Sequence, residues 1–470
     1  MESLLTLAEV RQATGAELHN FKGDPRKVVV EDAAVDSRAV HRGSLFVALK
    51  GDRTDGHLYL EAAERNGAAA AVVSRDFFQS GDFSASAVST ALPLLVHDDP
   101  LTGLQQLAST WIDRFPELVK IGITGSNGKT TTKEILASIL SAAAPTVKNQ
   151  GNLNSEIGLP LAALHIREEH RYGVFEMGVN HHGEMDQMVR VLRPHHGVIT
   201  NVGTAHIGLL GSRDGIAREK GKLFSAIPAE GFGFYPESFE WLELYREICG
   251  ASLVPFGRKS TGGVGEVRSL GLKGWEIDYD GIRVLLPLPG NHNLDNAMAA
   301  IQTARTLGIS REFVKSGIEH MVLLDGRSQI IEGPVTIVHD GYNANAESML
   351  AIFDTLSQSV DSGSLVVVLG SMKELGDSAE VAHRQVGRGL AELAPRAICL
   401  FGEEMGAAWD EVRHSGYAGE LKHTEEFDEL KEIVDRSVQP GDTVLLKGSR
   451  SMELERLIPD LQKVRSGNAG

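Results

Sequence analysis

A glycine-rich run that contains a lysine and several threonines is the clearest indication of a functional site in the chain. Residues 124–130 read Thr-Gly-Ser-Asn-Gly-Lys-Thr and follow the apolar run 119–123. Backbone N–H groups in such a turn point at an anion, and the N-terminus of the helix that follows adds a partial positive charge. Lys129 is expected to neutralise β- and γ-phosphate oxygens, and the hydroxyl of Thr130 or Thr131 to complete the shell of a phosphate-bound Mg²⁺. The pattern therefore predicts an ATP site, and a glycine turn before an ordinary helix is the alternative.

The loop departs from the usual phosphate-binding pattern in one respect. That pattern has a glycine where this chain has Ile123, so the loop here is shorter. Lysine and threonine nevertheless stand where phosphate chemistry requires them. The residues expected to hold the phosphates are Gly125, Ser126, Asn127, Gly128, Lys129, Thr130 and Thr131.

Three more residues further along the chain are candidates for metal or phosphate binding. Glu176 lies near the end of the predicted strand 172–177, at the sheet edge where open α/β sheets place their sites. It suits Mg²⁺, and a solvated glutamate is the alternative. His206 lies just past the predicted strand 197–201 and could bind metal or phosphate. Lys220 lies on a predicted helix, where lysine is usually a solvated surface residue, so the residue pattern alone gives it no function.

Two polar clusters complete the set of candidates. Asn293 and Asn296 are three residues apart at a predicted helix start, so their amides share one face and suit the edge of a base. Capping of that helix by Asn293 is the alternative. The second cluster spans 340–345 and follows a predicted strand. It concentrates a carboxylate, a phenol and amides in six residues, which turn chemistry alone rarely requires.

The elements that must position these residues fall into three blocks, 1–99, 100–319 and 320–470. The predicted helices are 58–66, 101–115, one from 129 to about 143, one from about 217, 346–356, 379–393, 427–434 and 452–461. The predicted strands are 68–73, 92–96, 119–123, 172–177, 197–201, 335–338, 365–369, 397–401 and 443–446. The pattern predicts an α/β fold, with a regular doubly wound third block.

Composition limits the possible partners. The chain has 470 residues, too many for one core, and a formal net charge of −17, which disfavours unspecific nucleic-acid binding. No apolar stretch approaches the roughly 20 residues of a membrane span. The two cysteines lack metal-ligand spacing and indicate a reducing compartment. We therefore expect a cytoplasmic protein without nucleic-acid or membrane partners, and nothing points to an obligate subunit, so a monomer is expected.

In these and several further motifs, the chain resembles the Mur ligase family. Members of that family are ATP-dependent enzymes that join amino acids to a UDP-sugar carboxylate. The resemblance covers all three blocks. Its marks in the first block are Asp36-Ser-Arg38, 43–51 and Asp55-Gly-His57. Those in the second are 124–130, 151–160, Glu176-Met-Gly178, Ala205-His206 and 290–293. Those in the third are 340–345, 369–376, His383 and 447–452.

Two of these marks point to the dipeptide-adding branch of the family. They are the Tyr-Asn-Ala-Asn run 342–345 and the Lys-Gly-Ser-Arg run 447–450. The Asp-Asn-Pro-Arg motif expected of the diaminopimelate- or lysine-adding relatives is missing from the sequence. Ala346 stands where family members tend to have proline, and Gly341 replaces a more usual small side chain; neither change removes a chemical group.

The resemblance implies a function for each block. It implies a small UDP-binding α/β domain, a central P-loop ATPase-like domain with a parallel sheet, and a C-terminal Rossmann-like domain that closes on ATP and binds the incoming dipeptide. The implied cofactors are ATP and Mg²⁺, and the implied substrates are UDP-N-acetylmuramoyl-tripeptide and D-alanyl-D-alanine.

The resemblance also implies the functions of individual residues. Catalysis is assigned to Lys129, Glu176, His206 and Lys220, and metal binding to Thr130, Glu176, His206 and Lys220, with Lys220 carbamylated. Nucleotide contacts beyond the loop are assigned to Asn293, Asn296, Arg327, Asp340, Tyr342 and Asn343. Substrate contacts are assigned to Ser37, Arg38, Asn152, Asn154, Asn345, Lys447, Ser449 and Arg450.

Two other functions compete with this interpretation. A folylpolyglutamate-synthase-like ligase would share the chemistry and the phosphate loop, but it would lack the UDP-sugar domain that the first block resembles. A GTPase switch or regulatory nucleotide-binding protein would need no third domain, and the Asn-Lys-x-Asp motif that reads guanine does not occur in the sequence.

Overall fold

Three largely parallel sheets, each drawn from one stretch of chain, form the framework of the protein. They are seen in a computed structural model that describes residues 4–51, 54–80, 90–204 and 207–464. The predicted α/β class is confirmed. Each sheet lies inside one of the predicted blocks, while the boundaries between the blocks stay predictions. Within the described residues, no helix combines the length and apolarity needed to span a membrane.

The first block forms a five-stranded sheet with helices against it. Its strands are β1 (Leu5–Thr6), β2 (Glu17–His19), β3 (Val29–Val30), β4 (Asp32–Ala34), β5 (Ser44–Val47), β6 (Ala70–Ser74) and β7 (Leu94–His97). Its helices are α1 (Leu7–Thr14), α2 (Leu60–Arg65) and α3 (Arg75–Gln79), and α4 (Pro100–Ile112) follows β7. The strand order is β2-β7-β6-β5-β4, with only β2 antiparallel, and β1 pairs with β3 separately.

The second block forms a six-stranded parallel sheet in the order β13-β12-β11-β8-β10-β9. Its strands are β8 (Val119–Thr124), β9 (Thr146–Lys148), β10 (Tyr172–Glu176), β11 (His196–Ile199), β12 (Phe232–Pro236) and β13 (Ser252–Phe256). Its helices are α5 (Lys129–Ala143), α6 (Gly158–Ala163), α7 (Glu184–Leu192), α8 (Ile207–Leu210), α9 (Arg213–Ser225), α10 (Leu242–Ile248), α11 (Asn291–Thr306) and α12 (Arg311–Glu319). A small antiparallel sheet of β14 (Val264–Ser269), β15 (Trp275–Tyr279) and β16 (Ile282–Leu286) is inserted before α11.

The apolar side chains of β8 are buried because β8 is an interior strand of this sheet. Ile121 and Ile123 are completely buried, as expected for a parallel strand that is covered on both faces and therefore reads as a continuous apolar run. Because the strands are parallel, β8, β10 and β11 end at the same edge of the sheet. The phosphate loop, Glu176 and residues 200–204 consequently meet at that edge.

The third block is a second six-stranded sheet in the order β17-β18-β22-β19-β20-β21, antiparallel only at β17. Its strands are β17 (Gln329–Ile331), β18 (Thr336–His339), β19 (Leu365–Gly370), β20 (Ala397–Phe401), β21 (Glu420–Thr424) and β22 (Thr443–Lys447). Its helices are α13 (Ala346–Ser359), α14 (Ala379–Leu393), α15 (Gly406–His414), α16 (Phe427–Ser437) and α17 (Ile458–Leu461).

Two predicted helix boundaries were wrong for identifiable reasons. The helix expected over 452–461 is instead two 3₁₀ turns followed by the short α17, because Glu453 has a left-handed φ of 50° and Pro459 lacks an N–H donor. Helix α9 begins at Arg213, before the predicted start at 217. The side chain of Ser212 caps it by accepting from the N–H of Gly215 at 3.0 Å.

Helix α5, which follows the phosphate loop, is supported from behind by α12. A methyl group on Gly317 of α12 would lie 2.3 Å from the Cα of Ile139 on α5, and the Ser138 hydroxyl donates to the Gly317 carbonyl at 2.7 Å. The two backbones are therefore too close for any side chain at this crossing.

We predict that Gly317→Ala lowers the free energy of unfolding by about 1–3 kcal/mol, because the added methyl must push two helix backbones apart. Gly250→Ala is the matched control, since nothing lies within 4 Å of a methyl group at Gly250, and its effect should stay within about 0.5 kcal/mol. Denaturant unfolding measures both, and equal midpoints for the two variants would contradict the prediction.

Candidate functional site

A cavity of about 690 Å³ lies where the strand ends of the second sheet face those of the third. Most of the site residues that the sequence predicted lie in its lining. The nominated residues that line it are Ser126, Asn127, Gly128, Lys129, Thr130, Thr131, Asn154, Glu176, Asn293, Asn296, Arg327, Asp340, Tyr342, Asn343, Asn345 and Lys447. The cavity therefore has one wall from each of these two blocks.

Two glycines give the phosphate loop its shape. Gly125 and Gly128 have φ values of 150° and 78°, in the region that favours glycine. A methyl on Gly125 would lie 1.9 Å from the Thr200 hydroxyl oxygen, and one on Gly128 would lie 2.2 Å from the Asn296 side-chain oxygen. Both positions therefore require glycine for conformation and for space.

Lys129 begins α5 and bends back over the loop. Its Nζ donates to the carbonyls of Gly125 at 2.8 Å and Ser126 at 3.3 Å. Burial lowers the pKa of Lys129, and Arg327 adds to that effect while Glu176 opposes it. Both hydrogen-bond acceptors recorded for this ammonium group within the described residues are loop carbonyls, which phosphate oxygens could replace, as the sequence-based hypothesis requires.

The segment that follows β11 braces the phosphate loop, which sequence analysis did not predict. Asn201 accepts from the N–H of Asn127 at 2.9 Å through its side chain and from the N–H of Ser126 at 3.1 Å through its carbonyl. The Thr200 hydroxyl donates to the Asn127 carbonyl at 2.5 Å, and the N–H of Gly203 donates to the Ser126 hydroxyl at 2.8 Å. The loop conformation is therefore fixed from outside as well as by its glycines.

Glu176 is 3 % exposed at the end of β10, so it is not the solvated strand-end glutamate of the alternative. Asn154 donates to its Oε1 at 2.7 Å, whereas its Oε2 is buried without a hydrogen-bond partner within the described residues. The Lys133 ammonium lies 3.9 Å from that oxygen. A buried carboxylate oxygen without a donor fits a cation ligand beside the phosphate loop.

The position of Glu176 depends on Asn149, another residue that sequence analysis missed. Its side-chain oxygen accepts from the N–H of Glu176 at 2.9 Å, and its amide donates to the carbonyls of Glu176 at 3.0 Å and Leu153 at 2.8 Å. Lys133 donates to the Asn149 carbonyl at 2.9 Å. This one amide ties β10 to the loop that carries Asn154. An asparagine just after a short strand was the available signal.

Lys220 contradicts the expectation of a surface lysine. It is 1 % exposed on α9, and burial, reinforced by the charge of Lys129, holds its pKa well below the usual value despite the opposing effect of Glu219. It does not line the cavity. His206, nominated with it for metal binding, lies outside the described residues.

Asn293 and Asn296 form a buried pair at the start of α11. Asn293 donates to the Pro289 carbonyl at 2.8 Å and accepts from Asn296 at 3.4 Å, while Asn296 accepts from the Thr132 hydroxyl at 3.2 Å. Gly290 is the cap residue of α11, so the alternative in which Asn293 caps the helix is wrong. Both amides line the cavity, where their contact with a base remains a prediction.

The third-block wall of the cavity is organised by an ion pair. Lys447, 2 % exposed at the end of β22, donates to Asp340 Oδ2 at 2.5 Å and to the Asn343 carbonyl at 3.3 Å. Burial alone would raise the pKa of Asp340, but the Lys447 ammonium outweighs it and the pKa lies below the usual value. The Arg327 guanidinium stacks 4.0 Å from the centre of the Tyr342 ring. The wall opposite the phosphate loop therefore combines one neutralised ion pair with the guanidinium of Arg327.

Asn345 has a structural role that the sequence analysis did not predict. It caps α13 by accepting from the N–H of Ser348 at 2.8 Å, and its amide donates to the side-chain oxygen of Asn127 at 2.7 Å. The side-chain oxygen thus caps the helix, while the amide joins the two walls. Its assignment to substrate binding remains a prediction.

Several nominated residues lie away from this cavity. Ser37 is buried near β4, and exposed Arg38 pairs with Asp36 at 2.7 Å. Asn152 is exposed beyond β9. Buried Ser449 accepts from the N–H of Lys373, and exposed Arg450 pairs with Glu455. Substrate contacts at these positions remain predictions, since none of these residues lines the cavity.

Known proteins share this arrangement over nearly the whole chain. Family models match at 33–109 (Mur ligase family, catalytic domain), 123–304 (Mur ligase middle domain) and 326–450 (Mur ligase, glutamate ligase domain). The UDP-N-acetylmuramoyl-tripeptide–D-alanyl-D-alanine ligase of Treponema pallidum (strain Nichols) is 40 % identical over 444 residues, which cover 93 % of this chain and 94 % of the relative.

Solved structures agree with the sequence relatives. MurF from Acinetobacter baumannii has a TM-score of 0.87 and 33 % identity, covering 98 % of this chain and 99 % of that one. MurF ligase from Thermotoga maritima in complex with ADP has a TM-score of 0.77 and 25 % identity, covering 92 % and 97 %. The fold and the site define an ATP-dependent ligase. The chain belongs to the Mur ligase family.

We predict that Asn149→Ala lowers the free energy of unfolding by about 1–3 kcal/mol, because it leaves buried backbone groups of Glu176 and Leu153 unpaired. It should also raise the Mg²⁺ concentration that half-maximal ATP consumption requires, since Glu176 loses its fixed position. Denaturant unfolding and a Mg²⁺ titration measure the two effects. Asn152→Ala, at an exposed asparagine of the same loop, should change stability by less than about 0.5 kcal/mol. Equal stability of the two variants would contradict the structural account.

Proposed function

We propose that this chain joins D-alanyl-D-alanine to the terminal carboxylate of UDP-N-acetylmuramoyl-tripeptide, converting ATP to ADP and phosphate, in the synthesis of the peptidoglycan precursor. The observation that carries the proposal is a phosphate loop that faces Arg327, Tyr342 and the Lys447–Asp340 ion pair of the third block across one cavity. It is supported by similarity to ligases of that name along 93 % of the chain. We further propose that it acts in the cytoplasm as a monomer.

ATP is assigned to the cavity with its phosphates on the loop and its base toward α11. The ADP complex of the Thermotoga maritima relative supports a nucleotide in this fold. The backbone N–H groups of the loop and Lys129 would bind the phosphates, and Asn293 with Asn296 would meet the adenine. Arg327 and Tyr342 would approach the nucleotide from the third block.

The first chemical step requires positive charge between two anions. A carboxylate does not react with an amine at neutral pH because hydroxide leaves poorly, so the tripeptide carboxylate first attacks the γ-phosphate and ADP departs. Lys129 neutralises the phosphate oxygens, and Arg327 on the opposite wall adds positive charge. Mg²⁺, when bound by the phosphates and by ligands such as Thr130 and Glu176, supplies further Lewis-acid stabilisation.

The second step forms the amide bond. The amine of the dipeptide attacks the carbonyl carbon of the acyl phosphate, phosphate leaves, and the amine loses a proton. The third block must exclude water from the acyl phosphate during this step and align the amine. We assign Asn345, Lys447, Ser449 and Arg450 to substrate binding on that block, Asn152 and Asn154 on the second, and Ser37 and Arg38 to the UDP group.

A folylpolyglutamate-synthase-like ligase is disfavoured by the first block. Residues 33–109 match the Mur ligase family model in their own right, in addition to the matches of the two following blocks. A regulatory nucleotide switch is disfavoured because the third block contributes Asp340, Tyr342 and Lys447 to the cavity wall. Both rivals make different predictions about substrate requirements.

We predict that phosphate release requires ATP, Mg²⁺, the UDP-linked tripeptide and D-alanyl-D-alanine together. A phosphate-release assay with each component omitted in turn, with D-alanine alone as the matched acceptor control, measures this. Full turnover with a folate and glutamate, or rapid hydrolysis of nucleotide alone, would overturn the proposal.

Lys220 is proposed to act as a carbamate. Its buried position and lowered pKa supply a neutral amine, whose nitrogen attacks the carbon of CO₂ and loses one proton, which leaves an anionic N-carboxylate. A plain ammonium would repel Mg²⁺, whereas the carbamate would join Thr130, Glu176 and His206 as a metal ligand. The buried environment supports this chemistry better than the surface position that the sequence suggested.

We predict that Lys220→Ala loses most activity and that short carboxylic acids or added bicarbonate partly restore it. A carboxylic acid that enters the space left by the side chain would replace the missing carboxylate. Arg218→Ala, at an exposed residue of the same helix, should keep normal turnover and show no rescue. Near-normal turnover of the Lys220 variant would disprove the carbamate while leaving the ligase assignment intact.

A further inference from the structure

Helix α13 contributes several contacts between the third block and the phosphate-binding side of the second. At its N-terminus, Asn345 donates to the side-chain oxygen of Asn127 in the phosphate loop at 2.7 Å. Two turns further along, Asp354 accepts from the side-chain amide of Asn291 at 3.0 Å. Both of these contacts are polar and directional, so they favour one alignment of the two blocks.

Glu347, in the first turn of α13, accepts two hydrogen bonds from one residue of the second block. Its Oε1 accepts from both the N–H of Thr204 at 2.8 Å and the Thr204 hydroxyl at 2.6 Å. Hydrogen bonds to a charged group are roughly twice as strong as neutral ones. The carboxylate also lies close to Gly203, where an added methyl group would come within 3.1 Å of Oε1. A side chain at 203 would therefore press on this contact.

The same segment holds the phosphate loop. The N–H of Gly203 donates to the Ser126 hydroxyl at 2.8 Å, and the Asn201 side chain accepts from the N–H of Asn127 at 2.9 Å. A continuous chain of hydrogen bonds thus runs from Glu347 on α13, through residues 200–204, to the loop. The phosphate loop and the third block cannot shift relative to each other without breaking a member of this chain.

We propose that Glu347 is a positioning residue: by anchoring Thr204 it couples docking of the third block to the conformation of the phosphate loop, so that the nucleotide and the third-block substrate groups are aligned together. The proposal rests on the proposed function and adds the contact that sets its geometry. Alignment of two reactants contributes to rate only when both walls of the site are held in register. Sequence analysis did not nominate Glu347, because its partner lies 143 positions away.

A purely local explanation makes a different prediction. An acidic side chain in the first turn of a helix stabilises that helix through its dipole, and Glu347 occupies such a position in α13. Under that explanation the loss of Thr204 does not change the rate. The Glu347→Gln and Glu347→Ala variants, which both lack the charge, then lose activity equally. Under the proposal, Thr204 and Glu347 act as a unit, and an uncharged acceptor retains part of the effect.

The test is a double-mutant cycle of Glu347→Ala and Thr204→Val, with Glu347→Gln as the conservative variant. We expect each single variant to lose about tenfold or more in kcat, the double variant to be no worse than the worse single, and Glu347→Gln to retain an intermediate rate. The KM for the UDP-linked substrate should change less than about twofold, and the unfolding midpoint should stay near that of the wild type. Glu380→Ala, which removes an exposed carboxylate that pairs within α14, should leave kcat unchanged.

The affinity for ADP with Mg²⁺, measured by calorimetry on the same variants, separates this proposal from the proposed function. If the wild type binds ADP but does not turn over the assigned substrates, the function is wrong and a non-additive binding cycle still supports the coupling. Additive effects in both cycles, or equal loss in Glu347→Gln and Glu347→Ala together with a lowered unfolding midpoint, would overturn the coupling and leave only the helix-stabilising explanation.

Discussion

The close approach of backbone at Gly125 and Gly128 is the constraint on which the rest of the site depends. Because neither residue has a Cβ, the Thr200 hydroxyl and the Asn296 amide can lie against the loop from two sides. Those two contacts bring the segment after β11 and the start of α11 to the same point. The phosphate loop is thus the place where elements distant in sequence converge, and the cavity takes its shape from that convergence.

Buried charge is concentrated around this point and is compensated in different ways. Burying an ionised group costs free energy unless partners replace water. Lys447 is matched by Asp340, and Lys133 by Glu134 at 3.1 Å and the Asn149 carbonyl. Glu176 keeps one oxygen without a donor within the described residues. Lys220 is buried with a lowered pKa. The incomplete compensation of Glu176 suits a site for phosphates and a cation, since the ligands would complete the charge balance.

Local patterns predicted the parts of the fold that local forces determine. The glycine loop between an apolar strand and a helix, and α14 with both of its ends, followed from residue order alone. Most of the nominated nucleotide contacts also line one cavity, because the resemblance placed motifs that parallel strands then carry to one edge. Asn149, Asn201 and Glu347 escaped prediction, since their function lies in partners that only the tertiary structure provides. The burial of Lys220 was missed for the same reason, because a helix pattern does not identify which face a neighbouring element will cover.

Polar side chains make the contacts between the N-terminal part of α13 and the phosphate-loop side of the second block, and their energetics suit the proposed reaction. Each hydrogen bond along α13 replaces bonds to water, so its net contribution to docking is small, about 0.5–1.5 kcal/mol for a neutral pair. A large apolar contact would hold the blocks together too firmly for substrates to enter and products to leave. Polar contacts instead specify one alignment without making it permanent, because an amide or carboxylate that is out of register loses its partner entirely. Contacts of this kind can therefore fix the alignment of the two walls without a large free-energy cost of separating them, which suits the proposed closure of the third block on ATP.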